Sequence, residues 1–263
     1  MRLWIMSDLH LEATRGWDLP PPSARPDFDA LIVAGDLVPG MERGVKWLAQ
    51  RITDRPVFYV AGNHEAYGND IDRTVEKAKA AAVGTSVTVL NNDCANVGDT
   101  MFAGATMWTD FELFGDRTFA MMRAGDVMND YKKIRKDMYA RRLRPADTLA
   151  RHKQSSAFIA RAVRESGARR KVLITHHGIV RQAMRIGSEL DAISAAYASD
   201  RPDLLAGVDL AVYGHTHETR DFIVGTNRVG TTRVVSNAKG YGPWTPAESW
   251  ENTNFDPHFI IEI

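Results

Sequence analysis

Five short groups of residues have the types that hold divalent metal ions: Asp8 with His10, Gly35 with Asp36, Gly62 to Glu65, His176 with His177, and Gly214 to His217. They contain five of the chain's eight histidines, or six if His177 is counted. Imidazoles, carboxylates and an amide carbonyl without any thiolate make a mixed nitrogen and oxygen donor set, which suits manganese, iron, zinc or cobalt. In Asp8-x-His10 and His215-x-His217, alternation along a strand end points both side chains of a pair the same way, so that one ion reaches both. Taken singly, an Asp-x-His is more often a surface loop, and Gly-Asp is a common turn dipeptide. A structural zinc site uses few, closely spaced ligands and often cysteine. The seven ligand candidates here span more than 200 residues. Their order, each group following an apolar run, is what gives them meaning together.

Those runs are the elements that must position the groups. Residues 3–6, 30–34, 57–61, 172–175 and 210–213 are short and apolar, as strands buried on both faces are. The segments 42–52 and 70–83 have helical spacing, with Val45, Leu48, Ala49 and Ile52 on one face of the first. Strand and helix alternate over the first 85 residues, which predicts an α/β core with right-handed crossovers. In such a sheet, ligands collect beyond the carboxyl ends of the strands, where all five groups fall. Consecutive strands at 87–90 and 101–107 imply a second, partly antiparallel sheet, and further strands are expected at 221–224, 233–236 and 259–263. A polar, helical insertion at about 108–156 is expected near the active site of a single domain, 1–263.

Thirty-three basic and 33 acidic side chains cancel, and 44% of the 263 residues are apolar. This composition fits a globular protein and disfavours duplex nucleic acid as a partner, because counterion-release binding wants a basic surface. Cys94 is the only cysteine, so neither an intramolecular disulfide nor a cysteine-rich zinc site is available, and a buried thiol is expected. No apolar run approaches the roughly 18–20 residues that span a bilayer, and the opening apolar stretch is too short for a signal peptide. The expectation is a cytoplasmic protein with no membrane partner. Its oligomeric state is not legible.

The ordered set Asp-x-His, Gly-Asp, Gly-Asn-His-Glu, His and Gly-His-x-His resembles the signature of the calcineurin-like metallophosphoesterases. That resemblance implies a four-layer α/β/β/α sandwich of two mixed sheets flanked by helices. It also implies two divalent metal ions, Mn²⁺ favoured, one held by Asp8, His10, Asp36 and His217, the other by Asp36, Asn63, His176 and His215, with Asp36 bridging. In that scheme a metal-bridging hydroxide attacks phosphorus in line, and His64 protonates the leaving oxygen or stabilises its charge, with Glu65 in support. His177 is read as a packing or supporting residue rather than a ligand.

Protein Ser/Thr phosphatases follow their Gly-Asp with Asp-Arg-Gly and place Arg before Gly-Asn-His. Here Leu37 to Met41 follow Asp36, and Ala61 precedes Gly62. The sequence therefore looks like a bacterial-type small phosphoesterase acting on a small phosphomonoester or phosphodiester, a nucleotide among them. A protein phosphatase and a catalytically idle scaffold are the alternatives, the latter disfavoured because no ligand is missing. Only 46 residues follow His217, so the extra domain of the superfamily's repair nucleases is not expected, and duplex DNA is disfavoured as a substrate. Specificity is expected from the insertion, where Lys132 to Arg144 hold seven basic residues and one acid. Arg forks there could grip phosphate, although a solvated face is the stronger reading. Asn129, Arg135 and Tyr241 are the candidate substrate contacts, with Trp108 a candidate wall.

Overall fold

The computed structural model describes residues 1–187, 191–226, 230–245 and 248–263. Strands β1 (Arg2–Met6), β2 (Ala30–Val33), β3 (Val57–Val60) and β4 (Val87–Leu90) alternate with helices α1 (Met41–Arg51) and α2 (Ile71–Ala82). Then come β5 (Asp93–Val97), β6 (Thr100–Ala105), helices α3 (Arg117–Val127) and α4 (Asp130–Lys133), and a hairpin of β7 (Arg135–Lys136) and β8 (Arg141–Arg142). The chain continues through α5 (Pro145–Glu165), β9 (Arg170–Thr175), β10 (Leu210–Tyr213), β11 (Thr219–Thr226), β12 (Gly230–Asn237) and β13 (Ile260–Glu262). One sheet has the order β13-β1-β2-β3-β4 and the other β11-β12-β10-β9-β6-β5. Both are mixed: β13 runs antiparallel on an otherwise parallel first sheet. In the second, β5 and β11 are the antiparallel edge strands.

Alternation along each parallel strand feeds two cores. Leu3, Ile5, Ile32, Phe58 and Val60 point between the sheets, where they meet Phe102, Val172, Ile174 and Val212. The Phe58 and Phe102 rings stack with centroids 4.0 Å apart. Trp4, Met6, Leu31, Val33 and Tyr59 point the other way, onto Val45 and Leu48 of α1 and Ala78 of α2. On the far side of the second sheet, Leu173 and Ala211 pack on Ile159 and Val163 of α5. The fold is thus the expected four-layer α/β/β/α sandwich, and it explains why its strands read as unbroken apolar runs.

Three local expectations change. Helix α5 runs unbroken through the expected insertion boundary at 156 to Glu165, because it is the crossover between parallel neighbours β6 and β9. The 101–107 strand ends at Ala105, and Met107 and Trp108 take positive φ angles of 71° and 39°. Cys94 is exposed rather than buried, since β5 is an edge strand with alternating exposure. No helix among the described residues is long and apolar enough to cross a membrane.

Candidate metal centre

All five groups emerge from the carboxyl ends of parallel strands, β1, β2 and β3 in one sheet and β9 and β10 in the other. Five of the side chains concerned sit on left-handed backbone: Asp8, His10, Asp36, His215 and His217 have φ between 44° and 71°. Such conformations cost free energy in L-residues and concentrate where geometry is imposed by a site. The turns are also too tight for Cβ atoms at three glycines, Gly214 among them, where a Cβ would strike the Asp8 carboxylate. A Cβ on Gly62 would strike the Asp36 carboxylate, and one on Gly35 would strike the His176 ring.

The ligand-type atoms form contiguous groups, Asp8 with His10 and His217, and Asp36 with His176 and His215, joined through His10, Asp36 and His64. His10 Nε2 lies 3.1 Å from His217 Nε2, which is 3.5 Å from Asp8 Oδ1; Asp36 Oδ2 is 3.8 Å from His10 Nε2. On the other side, His176 Nε2 lies 3.1 Å from both His215 Nδ1 and Asn63 Oδ1, and 3.4 Å from Asp36 Oδ2. Asp36 therefore belongs to both halves.

The protonation of these rings is set from behind. His10 Nδ1 donates to Glu12 at 3.2 Å, His217 Nδ1 to Glu251 at 2.7 Å, and His176 Nδ1 to the Ala34 carbonyl at 2.9 Å. A neutral ring held in this way presents a lone pair at its inward nitrogen, facing carboxylate or carbonyl oxygens and other imidazoles. Lone pairs converging in this way repel one another unless a cation lies among them, and imidazoles backed by an acceptor are the usual state of metal-binding histidines. The donor set fits a pair of divalent ions.

Glu65 is fully buried and accepts from the Asp36, Leu37 and Gly62 amides and from the Tyr59 hydroxyl, at 2.6 to 3.1 Å. It clamps the loops after β2 and β3 together, and its bonds go to backbone amides and Tyr59 rather than to the His64 ring it was expected to support. His64 stands at the rim. Its amide donates to Asp36 Oδ1, its Nδ1 to Glu12, its Nε2 lies 3.2 Å from the Tyr241 hydroxyl, and Tyr67 stacks on it at 4.1 Å. Burial opposes a charge on its ring, but Asp36 and Glu12 outweigh it and push the imidazole up to about 9. His177 is buried, donates from Nδ1 to the Thr106 carbonyl, and packs against His215 and Trp108. Burial and then His176 bring it down to about 3.

A cavity of about 270 Å³ opens over Asp36, Asn63, His64, His215 and His217. Of the three candidate substrate contacts, Asn129 and Tyr241 line it, and Arg135, in the β7–β8 hairpin, does not. Much of the rest of the basic segment is also engaged elsewhere: Arg141 with Asp137 and Asp147, Lys136 with Asp147, and Lys132 with the Val127 carbonyl. Trp108 lies in the core beneath the insertion. The sequence reading missed Glu12, Tyr67, Arg185, Tyr197 and Glu251 around the site. Glu12 could have been found, being two residues past His10; Glu251 has no local signal, lying beyond the last strand-end motif.

A family model for calcineurin-like phosphoesterases matches residues 1–219. The chain belongs to the calcineurin-like phosphoesterase family. Among solved structures, this phosphoesterase is similar to a phosphopantetheinyl hydrolase from Mycobacterium tuberculosis, at 18% identity and a TM-score of 0.64, with 91% of this chain and 89% of that one covered. It also matches a dimetal phosphatase from Danio rerio at 10% identity and a TM-score of 0.48, covering 89% and 86%. No curated protein matches its sequence. With the family shown and a dinuclear donor set in place, the protein is a metal-dependent phosphoric ester hydrolase.

Proposed function

We propose that this phosphoesterase hydrolyses a small phosphomonoester or phosphodiester, a nucleotide among the candidates, at two divalent ions. Asp8, His10, Asp36 and His217 hold the first ion, Asp36, Asn63, His176 and His215 the second, and Mn²⁺ is the favoured metal. The observation that carries the reading is the pair of donor groups joined through Asp36, with His64 beside them in the lining of the cavity. Two bound ions supply Lewis-acid charge for the phosphoryl oxygens and an activated water for in-line displacement.

The chain's own groups do the rest. His64, charged and held between Tyr67, Glu12 and Tyr241, keeps its Nε2 proton at the rim for the departing oxygen. Glu12 touches both His10 and His64 with one carboxylate oxygen and fixes their relative orientation. Asn129, Tyr197 and Tyr241 line the space for the remainder of the substrate, whose size suits a small organic phosphate. The test is hydrolysis of paired chromogenic substrates, a phosphomonoester and a phosphodiester, by chelator-stripped protein with Mn²⁺ restored. Activity that appears only with metal and favours one ester supports the proposal; no turnover of either by protein carrying two ions counts against it.

A further inference from the structure

Asn63 differs from the other ligand candidates in having two faces of similar shape, an oxygen that can hold a metal and an NH₂ that cannot. Its orientation is decided by the insertion. Asn63 Nδ2 donates to Asp130 Oδ1 at 2.8 Å and lies 3.2 Å from the Tyr67 hydroxyl oxygen. The Tyr67 hydroxyl in turn donates to the same Asp130 oxygen at 2.7 Å. Asp130 opens α4, 67 residues away in sequence, and is 1% exposed.

The reverse orientation has its own partner. With the amide turned over, an N–H would stand where Oδ1 now lies, 3.1 Å from His176 Nε2. With its Nδ1 donating to the Ala34 carbonyl, a neutral His176 ring would accept that N–H at Nε2. The resulting hydrogen bond would occupy two ligand atoms of one ion at once. Against it, the turned amide would aim its oxygen at the Asp130 carboxylate, where two acceptors repel.

We infer that Asp130 is a positioning residue of the metal centre, holding Asn63 with its carbonyl oxygen toward His176 and excluding the turned amide that would close the second site. This rests on Asn63 being a ligand of the second ion. The insertion therefore contributes to the site's competence to load metal, apart from any contact with substrate.

The test is calorimetric titration of chelator-stripped protein with Mn²⁺, with thermal melts to confirm folding. Asp130→Ala is expected to weaken binding at the second site roughly 10- to 100-fold, the scale of loss when a ligand's supporting partner is removed, and to leave the first site within about twofold. Asp130→Asn keeps an oxygen acceptor for both donors and places its amide nitrogen at Oδ2, to which nothing donates; it is expected to bind Mn²⁺ nearly as the native protein does. Asn63→Asp removes the asymmetry, so in that background Asp130→Ala no longer weakens the second site. The inference is overturned if Asp130→Ala binds two ions normally, if Asp130→Asn is as weak as the alanine variant, or if the loss persists in the Asn63→Asp background. Asn63→Ala separates the two readings. Normal binding by that variant removes the ligand assignment and this inference with it, whereas weak binding there beside normal binding in Asp130→Ala removes the inference alone.

Discussion

At the scale of single residues, the site depends on groups held in forms they would not choose in water. Asp36 is buried beneath three imidazoles; burial opposes its charge, and His176, His64 and His10 together hold it ionised well below the usual carboxylate range. Asp36→Asn keeps the shape and removes the charge that the two proposed ions would share, so hydrolysis of a chromogenic phosphoester is expected to vanish while the circular dichroism spectrum stays native. Retained turnover in purified Asp36→Asn would sink the bridging role. His64 has a different signature. Its loss should cost roughly 10²- to 10⁴-fold with an alkyl leaving group, the usual worth of general acid catalysis, and much less with p-nitrophenolate, which departs without a proton. Equal losses on both substrates would contradict proton delivery.

At the scale of elements, the loops after the strands carry the chemistry and the insertion walls it. Alanines of α3 and Leu143 pack on Trp108 and on the turn Ala192–Ala196, so the wall leans on the second sheet's loops. The hairpin that follows is pinned by Asp147, in the first turn of α5, which accepts from Arg141 at 2.7 and 2.8 Å and from the Arg144 amide at 2.9 Å. The Arg141 fork brings the Asp147 carboxyl down to about 2. A depressed carboxyl stabilises the fold above its unfolded value, and that stability is lost as the pH falls from about 4 toward 2. Asp147→Asn is therefore expected to cost roughly 1 kcal/mol after solvent screening, seen as a lower urea midpoint at pH 5 to 7. The gap from the native protein should narrow below about pH 4; a constant gap would show that the charge is not what holds the hairpin.

At the scale of the whole molecule, the donor set straddles the two sheets: Asp8, His10, Asp36 and Asn63 follow strands of the first, and His176, His215 and His217 follow strands of the second. Ions bound there stitch the sheets together at one end of their shared core. Loading with Mn²⁺ at about 100 times the dissociation constant is expected to stabilise the fold by roughly 2.7 kcal/mol per site. A melting temperature that rises with Mn²⁺ and falls with chelator checks this, and indifference to metal would mean the sheets are already locked without it.

Much of this was legible in the chain itself. Strands buried on both faces must be short and apolar, and the polar groups that interrupt such runs stand out, so Asp8, Asp36, Asn63, His176 and their partners could be read one strand end at a time. Helix α5 was cut short because the polar insertion and the amphipathic crossover share one helical spacing, and β5 was passed over because an edge strand exposes half its residues. Arg135 shows the limit of a charge count: a cation's position in sequence says nothing of whether a hairpin will turn it away. Glu251 behind His217 and Asp130 behind Asn63 depend on segments that approach only when the sheets close, at separations of 34 and 67 residues. Local pattern determined which residues can hold metal, because ligand type and strand end are local properties. Tertiary packing alone decided how those ligands are oriented and what surrounds them, because a hydrogen-bond acceptor behind an imidazole or an amide can come from anywhere in the chain.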